Sequence, residues 1–151
     1  MLSSLSARMG DFKNFASPHY QRRLSGPFLD RLDLLVEVPV LPPQVLAAAP
    51  DGEPSAVVAA RVAAARELAL ARQGCCNALL SPALLEAHAQ AEPAAAALLQ
   101  KTATRLGWSG RGYHRVLRVA RTIADLAASP LIAPAHMAEA VQLRRGLQTT
   151  G

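Results

Sequence analysis

The sequence predicts a mainly α fold: a C-terminal helical bundle preceded by a short remnant of an α/β core. Three observations carry that prediction. Hydrophobic residues make up 51% of the 151 residues while aromatics are only 4%, so alanine and leucine must fill the core, which favours closely packed helices over a sheet sandwich. Helix-start and helix-stop residues recur in quick succession from Ser55 onward. Only one stretch, Leu32 to Val38, alternates like a strand, with Leu34, Val36 and Val38 on one face.

Taken in order, residues 1–18 show no clear periodicity and are expected to be disordered or irregular. Residues 19–25 can form a helical turn, broken at Gly26-Pro27, and Pro27 is placed to begin a second short helix ending near Arg31. With the strand that follows, residues 19–40 form the core remnant. From Pro39 to Pro54 there are five prolines, an alanine triplet and Asp51-Gly52. That composition marks residues 41–54 as a linker and sets the boundary of a helical domain over 55–146.

Within that domain Ser55 can cap a helix to about Gln73, with Gly74 as its stop. Ser81-Pro82 opens a second helix, and Pro93 starts a third that ends at Gly107. Ser109 caps a fourth, to about Ala128, before Ser129-Pro130 ends it. Pro134 starts a fifth that stops near Arg145-Gly146.

The net charge is +5, and among the basic residues only Lys13 and Lys101 are lysine. Arginine's planar fork suits phosphate and carboxylate recognition, although a GC-rich genome yields the same bias. The adjacent Cys75 and Cys76 cannot close a loop by disulfide, which fits a reducing cytoplasm. Apolar runs are far too short for a membrane span and no signal peptide is evident, so a cytoplasmic location with no membrane partner is expected.

At about 100° per residue, Arg111, Arg115, Arg118, Thr122 and Asp125 fall on one face of the fourth helix. Val116, Val119, Ala120, Ile123, Leu126 and Ala127 fall on the other, the expected core face. The cationic face begins at a helix N-terminus, where unpaired amides already favour anions. An arginine in that first turn adds a bidentate phosphate donor. Spacing alone favours a solvated face.

Two segments change the balance. Gly26-Pro27-Phe28-Leu29-Asp30-Arg31-Leu32-Asp33-Leu34, and the later run from Ser109 through Arg111 to Leu126, resemble the corresponding parts of magnesium-chelatase-like AAA+ ATPases of the ComM/YifB group. The resemblance covers roughly residues 20–145. It implies that the bundle is an AAA+ lid and the preceding segment the end of an AAA+ core. It implies that Arg31 is the arginine finger, acting in trans on a neighbouring subunit's ATP, and that Arg111 is the sensor-2 arginine, with Arg118 a weaker candidate. Gly110 stands where the family usually has alanine, which loosens the helix start without removing the arginine.

The same resemblance implies family subunits as partners in a hexameric ring, ATP and Mg²⁺ as cofactors of the intact parent, and DNA branch migration as its work. Yet the 151 residues contain no Gly-x-x-x-x-Gly-Lys-Ser/Thr run, and no apolar strand ending in paired acids to hold Mg²⁺. The chain alone is expected to bind no cofactor and to hydrolyse no ATP; it reads as the C-terminal fragment of such an ATPase. Two alternatives stay open: a stand-alone basic helical module that binds nucleic acid, and a non-catalytic regulator that joins a full-length ring. His19, His88, His114 and His136 are too scattered to be read as metal ligands. Trp108 is expected to pack into the bundle.

Overall fold

The computed structural model describes residues 31–36, 38, 40–48 and 52–145. The N-terminus expected to be irregular, the turn expected at 19–25, the helix expected at Pro27 and the stop expected at Gly146 lie outside the described residues. Among those described, the order is α1 (Pro43–Ala48), α2 (Ser55–Gln73), a 3-10 turn at Asn77–Leu79, α3 (Pro82–His88), α4 (Pro93–Arg105), α5 (Gly110–Leu126) and α6 (Pro134–Arg145). The fold is therefore mainly α, as the composition predicts.

Caps set most of the boundaries. The Ser81 side chain accepts from the Leu84 amide at 3.3 Å and that of Ser109 from the Gly112 amide at 3.2 Å, each fixing a helix start. Pro93 occupies the first turn of α4, where its missing N–H costs nothing. Ser55 does not cap: α2 begins at Ser55 itself, with Pro54 before it and no side-chain bond to its first turn. Gly74 ends α2 at φ +74°, its amide bonded to the Leu70 carbonyl at 2.8 Å. After α4, Gly107 takes φ +61° and the Trp108 amide reaches back to the Ala103 carbonyl at 3.0 Å. This is a helix stop that needs a left-handed residue.

The centre of the molecule is α5. It packs against α6 on one side and the C-terminal half of α2 on the other, while α4 closes onto α6. Val116, Ala120 and Ala124 of α5, Leu99 and Ala95 of α4, Met137 and Ala140 of α6, and Leu85 of α3 are all shut away from water. Small residues recur at four-residue spacing along α5, so its neighbours approach its backbone closely. The loops before α4 and α6 are joined by a single parallel bridge, Ala91 to Ile132, with the Ile132 amide on the Gln90 carbonyl and the Glu92 amide on the Ile132 carbonyl. Trp108 packs against this core, as expected.

Two expectations are corrected. No strand occurs among the described residues of 32–40. Leu34, Val36 and Val38 are 44%, 62% and 81% exposed, because no neighbouring strand among the described residues offers a ladder. The backbone bonds there go to a helix instead: the Leu35 amide donates to the Leu143 carbonyl of α6 at 2.9 Å. The stretch read as a linker also contains the six-residue α1, opened by Pro42-Pro43. Pro43 pre-sets a helical φ, and Gln44 through Ala48 carry no breaker.

Candidate functional site

The arginines of α5 are not equivalent. Arg111 sits in the first turn, exposed, with no hydrogen-bond or ion-pair partner among the described residues. Ser109 caps the helix two residues before it, its hydroxyl and carbonyl oxygens accepting from the Gly112 and Tyr113 amides at 3.2 and 3.0 Å. Arg115, one turn on, is half-buried and ion-paired with Asp33. Arg118 is turned onto the backbone, its Nε and Nη2 donating to the Leu80 carbonyl at 3.1 and 2.6 Å. That bond anchors the loop between the 3-10 turn and α3, so Arg118 has a structural job and its guanidinium is already engaged.

Arg31 lies in a turn, exposed, and forms no ion pair among the described residues. Its neighbours are held firmly. Arg144 of α6, itself 3% exposed, donates from Nη1 to the Leu32 carbonyl at 2.6 Å. The same guanidinium lies against Gly112: a Cβ built there would sit 3.5 Å from Arg144 Nη2. Arg31 is thus adjacent to Leu32, and Arg111 to Gly112, and Arg144 touches both sites. The two arginines singled out from the sequence come to the same end of α5, while Arg118 points away to a loop carbonyl.

The expected core face of α5 needs correction on one flank. Asp125, placed by spacing on the cationic face, is 3% exposed, and Arg121, which spacing did not single out, is wholly buried. Leu126, assigned to the core, is 42% exposed. The reason is that the end of α2 and the 3-10 turn cover this flank with polar groups. Arg72 at the end of α2 grips Asp125 bidentately, Nη1 to Oδ1 at 2.6 Å and Nη2 to Oδ2 at 2.9 Å. Asn77 Nδ2 adds a third bond to Oδ2 at 2.8 Å, and Asn77 Oδ1 accepts from Arg72 at 3.0 Å and from Gln73 at 2.8 Å.

Arg121 completes the cluster. Its Nε donates to Asp125 Oδ1 at 3.1 Å, and its two terminal nitrogens donate to the carbonyls of Ser129 at 2.6 Å and Pro130 at 3.0 Å. Burial lowers the Arg121 pKa and the like charge of Arg72 adds to that, while Asp125 opposes it; an arginine stays charged regardless. Burial pushes the Asp125 carboxyl up, but hydrogen bonds from Arg72 and Asn77 and the charges of both arginines outweigh it, leaving Asp125 below the usual carboxylate value. The cluster is a fully bonded clamp that ties α2, the 3-10 turn, α5 and the exit toward α6. It offers no open position for a substrate. The signal that could have revealed it is the Arg121/Asp125 pair at i,i+4, each residue directly after an alanine, Ala120 and Ala124, since small residues beside a charged pair mark a helix flank that is closely covered.

Elsewhere, an open depression of about 450 Å³ lined by Ala97, Gln100, Lys101, Thr104 and Arg105 belongs to α4 alone. Cys75 and Cys76 are free and half-buried, and only Cys75 packs on the core. His136 Nδ1 accepts from the Ala133 amide at 3.1 Å, and His114 stacks edge-on to Tyr113. Among the described residues no three His, Cys, Asp or Glu side chains converge on one point, and no helix is long and apolar enough to cross a membrane.

Comparison with known proteins gives a consistent result. Residues 52–144 match the family described as magnesium chelatase, subunit ChlI C-terminal. The competence protein ComM of Haemophilus influenzae and the YifB protein of Escherichia coli are each 45% identical to the chain over 126 residues, which is 83% of this chain and 25% of each relative. An uncharacterized protein of Mycobacterium tuberculosis is 43% identical over 112 residues, 72% of this chain and 22% of its own length. The chain spans about a quarter of the length of the curated relatives it matches.

Proposed function

Because this chain belongs to the magnesium chelatase ChlI C-terminal family, in its ComM/YifB branch, we propose that it is the lid and arginine-supplying portion of an AAA+ ATPase ring. In this reading Arg111 is the sensor-2 arginine and Arg31 the finger offered to a neighbouring subunit. The observation that carries it is the difference among the α5 arginines. Arg115, Arg118 and Arg121 are committed to Asp33, the Leu80 carbonyl and Asp125, whereas Arg111 stands exposed at a capped helix N-terminus, at the end where Arg31 is also exposed.

Such a pair can do one kind of chemistry. Guanidinium groups donate in a plane to phosphate oxygens, and charge that develops on a transferred phosphoryl group is stabilised by donors fixed in advance. The donor set is cationic, so it fits the phosphates of ATP. It does not fit Mg²⁺, which requires oxygen ligands. The phosphate loop, the metal ligands and the attacking water belong to the rest of the ATPase. The partners in this reading are subunits of the same family in a hexameric ring. Branch migration of DNA is the expectation that the family resemblance carries for the whole protein, and a part in competence is what the name of the Haemophilus relative says of that protein.

The nucleic-acid-module alternative draws less support from the geometry. It relied on a stripe of free arginines, and two of the three are tied to protein groups. A regulator that lends Arg31 to a full-length ring uses the same residue in the same way. It is separated from the nucleic-acid module by co-purification with an intact ATPase.

The test is a chimera in which this chain replaces the aligned quarter of the Haemophilus protein. Arg31→Ala is expected to lower kcat for ATP by about 10³-fold or more, the usual worth of an arginine finger, and Arg111→Ala to lower it as well. Unchanged turnover in both variants, with DNA affinity that falls steeply with salt and ignores nucleotide, would favour the nucleic-acid module.

A further inference from the structure

The segment from Arg31 to Leu35 is strapped to the helical bundle at three points, all of them on residues that follow Arg31 within four positions. Arg144 of α6 donates to the Leu32 carbonyl at 2.6 Å. Arg115 of α5 pairs with the Asp33 carboxylate. The Leu35 amide donates to the Leu143 carbonyl at 2.9 Å. Arg144 is buried and Arg115 half-buried, so both guanidinium groups are held by the bundle and the strap comes to them. Arg31 itself is left exposed immediately before the first of these anchors.

We infer that Asp33 and Arg115 are positioning residues for Arg31: through their ion pair the lid fixes the finger segment, so that the finger and the α5–α6 end of the lid move as one body. This rests on the reading of Arg31 as the finger. A finger is useful only at one place relative to the phosphoryl group it stabilises, and a shift of about 1 Å can cost about 10²-fold in rate. Leu32 and Asp33 are the first and second residues after Arg31, so slack at either is passed to it almost undiminished. Arg144 and the Leu35 amide act on backbone groups and define the path of the strap. The Asp33–Arg115 pair is the side-chain contact that can be removed without unmaking the helices, because Asp33 is largely exposed.

The experiment has two arms. In the full chain, amide exchange at Leu35 is compared between the parent and Asp33→Ala, with Ala120 in the core of α5 as the internal standard. Loss of the pair is expected to speed Leu35 exchange by about two- to fivefold, the range for a partly exposed ion pair, with Ala120 unchanged. The charge exchange Asp33→Arg with Arg115→Asp is expected to restore it. Unaltered Leu35 exchange in Asp33→Ala overturns the inference at once.

In the chimera, Asp33→Ala is expected to lower kcat for ATP by about two- to fivefold, the same factor as in the exchange, with KM unchanged, and the charge exchange to recover most of the loss. Full kcat in Asp33→Ala alongside faster Leu35 exchange also overturns it, since the strap would be loose and the finger unaffected. If Arg31→Ala itself leaves kcat intact, the finger reading fails, and that failure is distinct from a failure of the strap.

Discussion

Arg121 and Asp125 stand one turn apart on α5, both shut away from water, and each completes the other's hydrogen bonding. Every acceptor position of Asp125 is used, by Arg121, by both ends of the Arg72 fork and by Asn77. A buried ion pair of this kind repays its desolvation only when its remaining polar groups are also bonded, and here they are. The pair sits where α2, the 3-10 turn and the exit of α5 converge, so it fixes the geometry of the lid on the side away from Arg111.

Removing one partner should therefore be costly. Asp125→Ala leaves Arg121 and Arg72 as uncompensated charges, one of them wholly buried, and is expected to lower the stability of the chain by about 3–5 kcal/mol. The double change Arg121→Met with Asp125→Leu is expected to cost less than Asp125→Ala alone. Urea unfolding followed by far-ultraviolet circular dichroism measures both. A loss under about 1 kcal/mol in Asp125→Ala would show that Arg121 does not depend on the pair.

Acid should act through the same carboxylate. Its pKa is depressed in the folded chain relative to the ordinary value near ~3.9, so the unfolded state binds the proton first and stability rises with pH in that range. The contribution is complete above about pH 5 and is lost as pH falls through the depressed native value. Unfolding midpoints are expected to stay level from about pH 7 to 5 on account of this group and to fall below about 4. Asp125→Asn should show a shallower decline over the acid range.

Ala128 takes φ +51°, in the left-handed region, where the Ser129 amide turns back to the Ala124 carbonyl at 2.8 Å. Elsewhere the same kind of helix stop uses glycine, at Gly74 and Gly107. Ala128→Gly is expected to stabilise the chain by about 1 kcal/mol by removing the Cβ strain, read as a rise in the thermal midpoint. The turn presents the Ser129 and Pro130 carbonyls to Arg121, so the change should leave the clamp in place.

The two sensor-2 candidates should separate on stability alone. Arg118→Met leaves the Leu80 carbonyl without its two donors and is expected to cost about 1–2 kcal/mol. Arg111→Met touches no partner and is expected to change stability by less than about 0.5 kcal/mol. Equal losses in urea unfolding would contradict the assignment of Arg118 to structure and Arg111 to function.

The helices were legible in the sequence because their punctuation is local. Ser81-Pro82, Pro93, Ser109, Pro134 and Gly74 mark ends by mechanisms that need no tertiary partner. What depended on neighbours was not legible. The alternation at Leu34, Val36 and Val38 signals a strand only when a sheet is there to receive it, and among the described residues the receiving element is α6. The inward direction of Asp125 depends on Arg72, 53 residues away, and no periodicity within α5 contains that information. Arg111 and Arg31 could be singled out from motif resemblance, but that Arg144 draws their segments to one end of α5 required the fold.

The central claim is that Arg31 serves a neighbour's nucleotide, and subunit mixing tests it most directly. One chimera carries Arg31→Ala; a second has an intact Arg31 and a disabled phosphate-loop lysine in the portion contributed by the Haemophilus protein. Each alone is expected to turn over ATP at background. Mixed, they are expected to recover activity, because an intact Arg31 of one subunit then meets an intact phosphate loop of the other. A mixture no more active than its parts, or an Arg31→Ala chimera active by itself, would contradict the account.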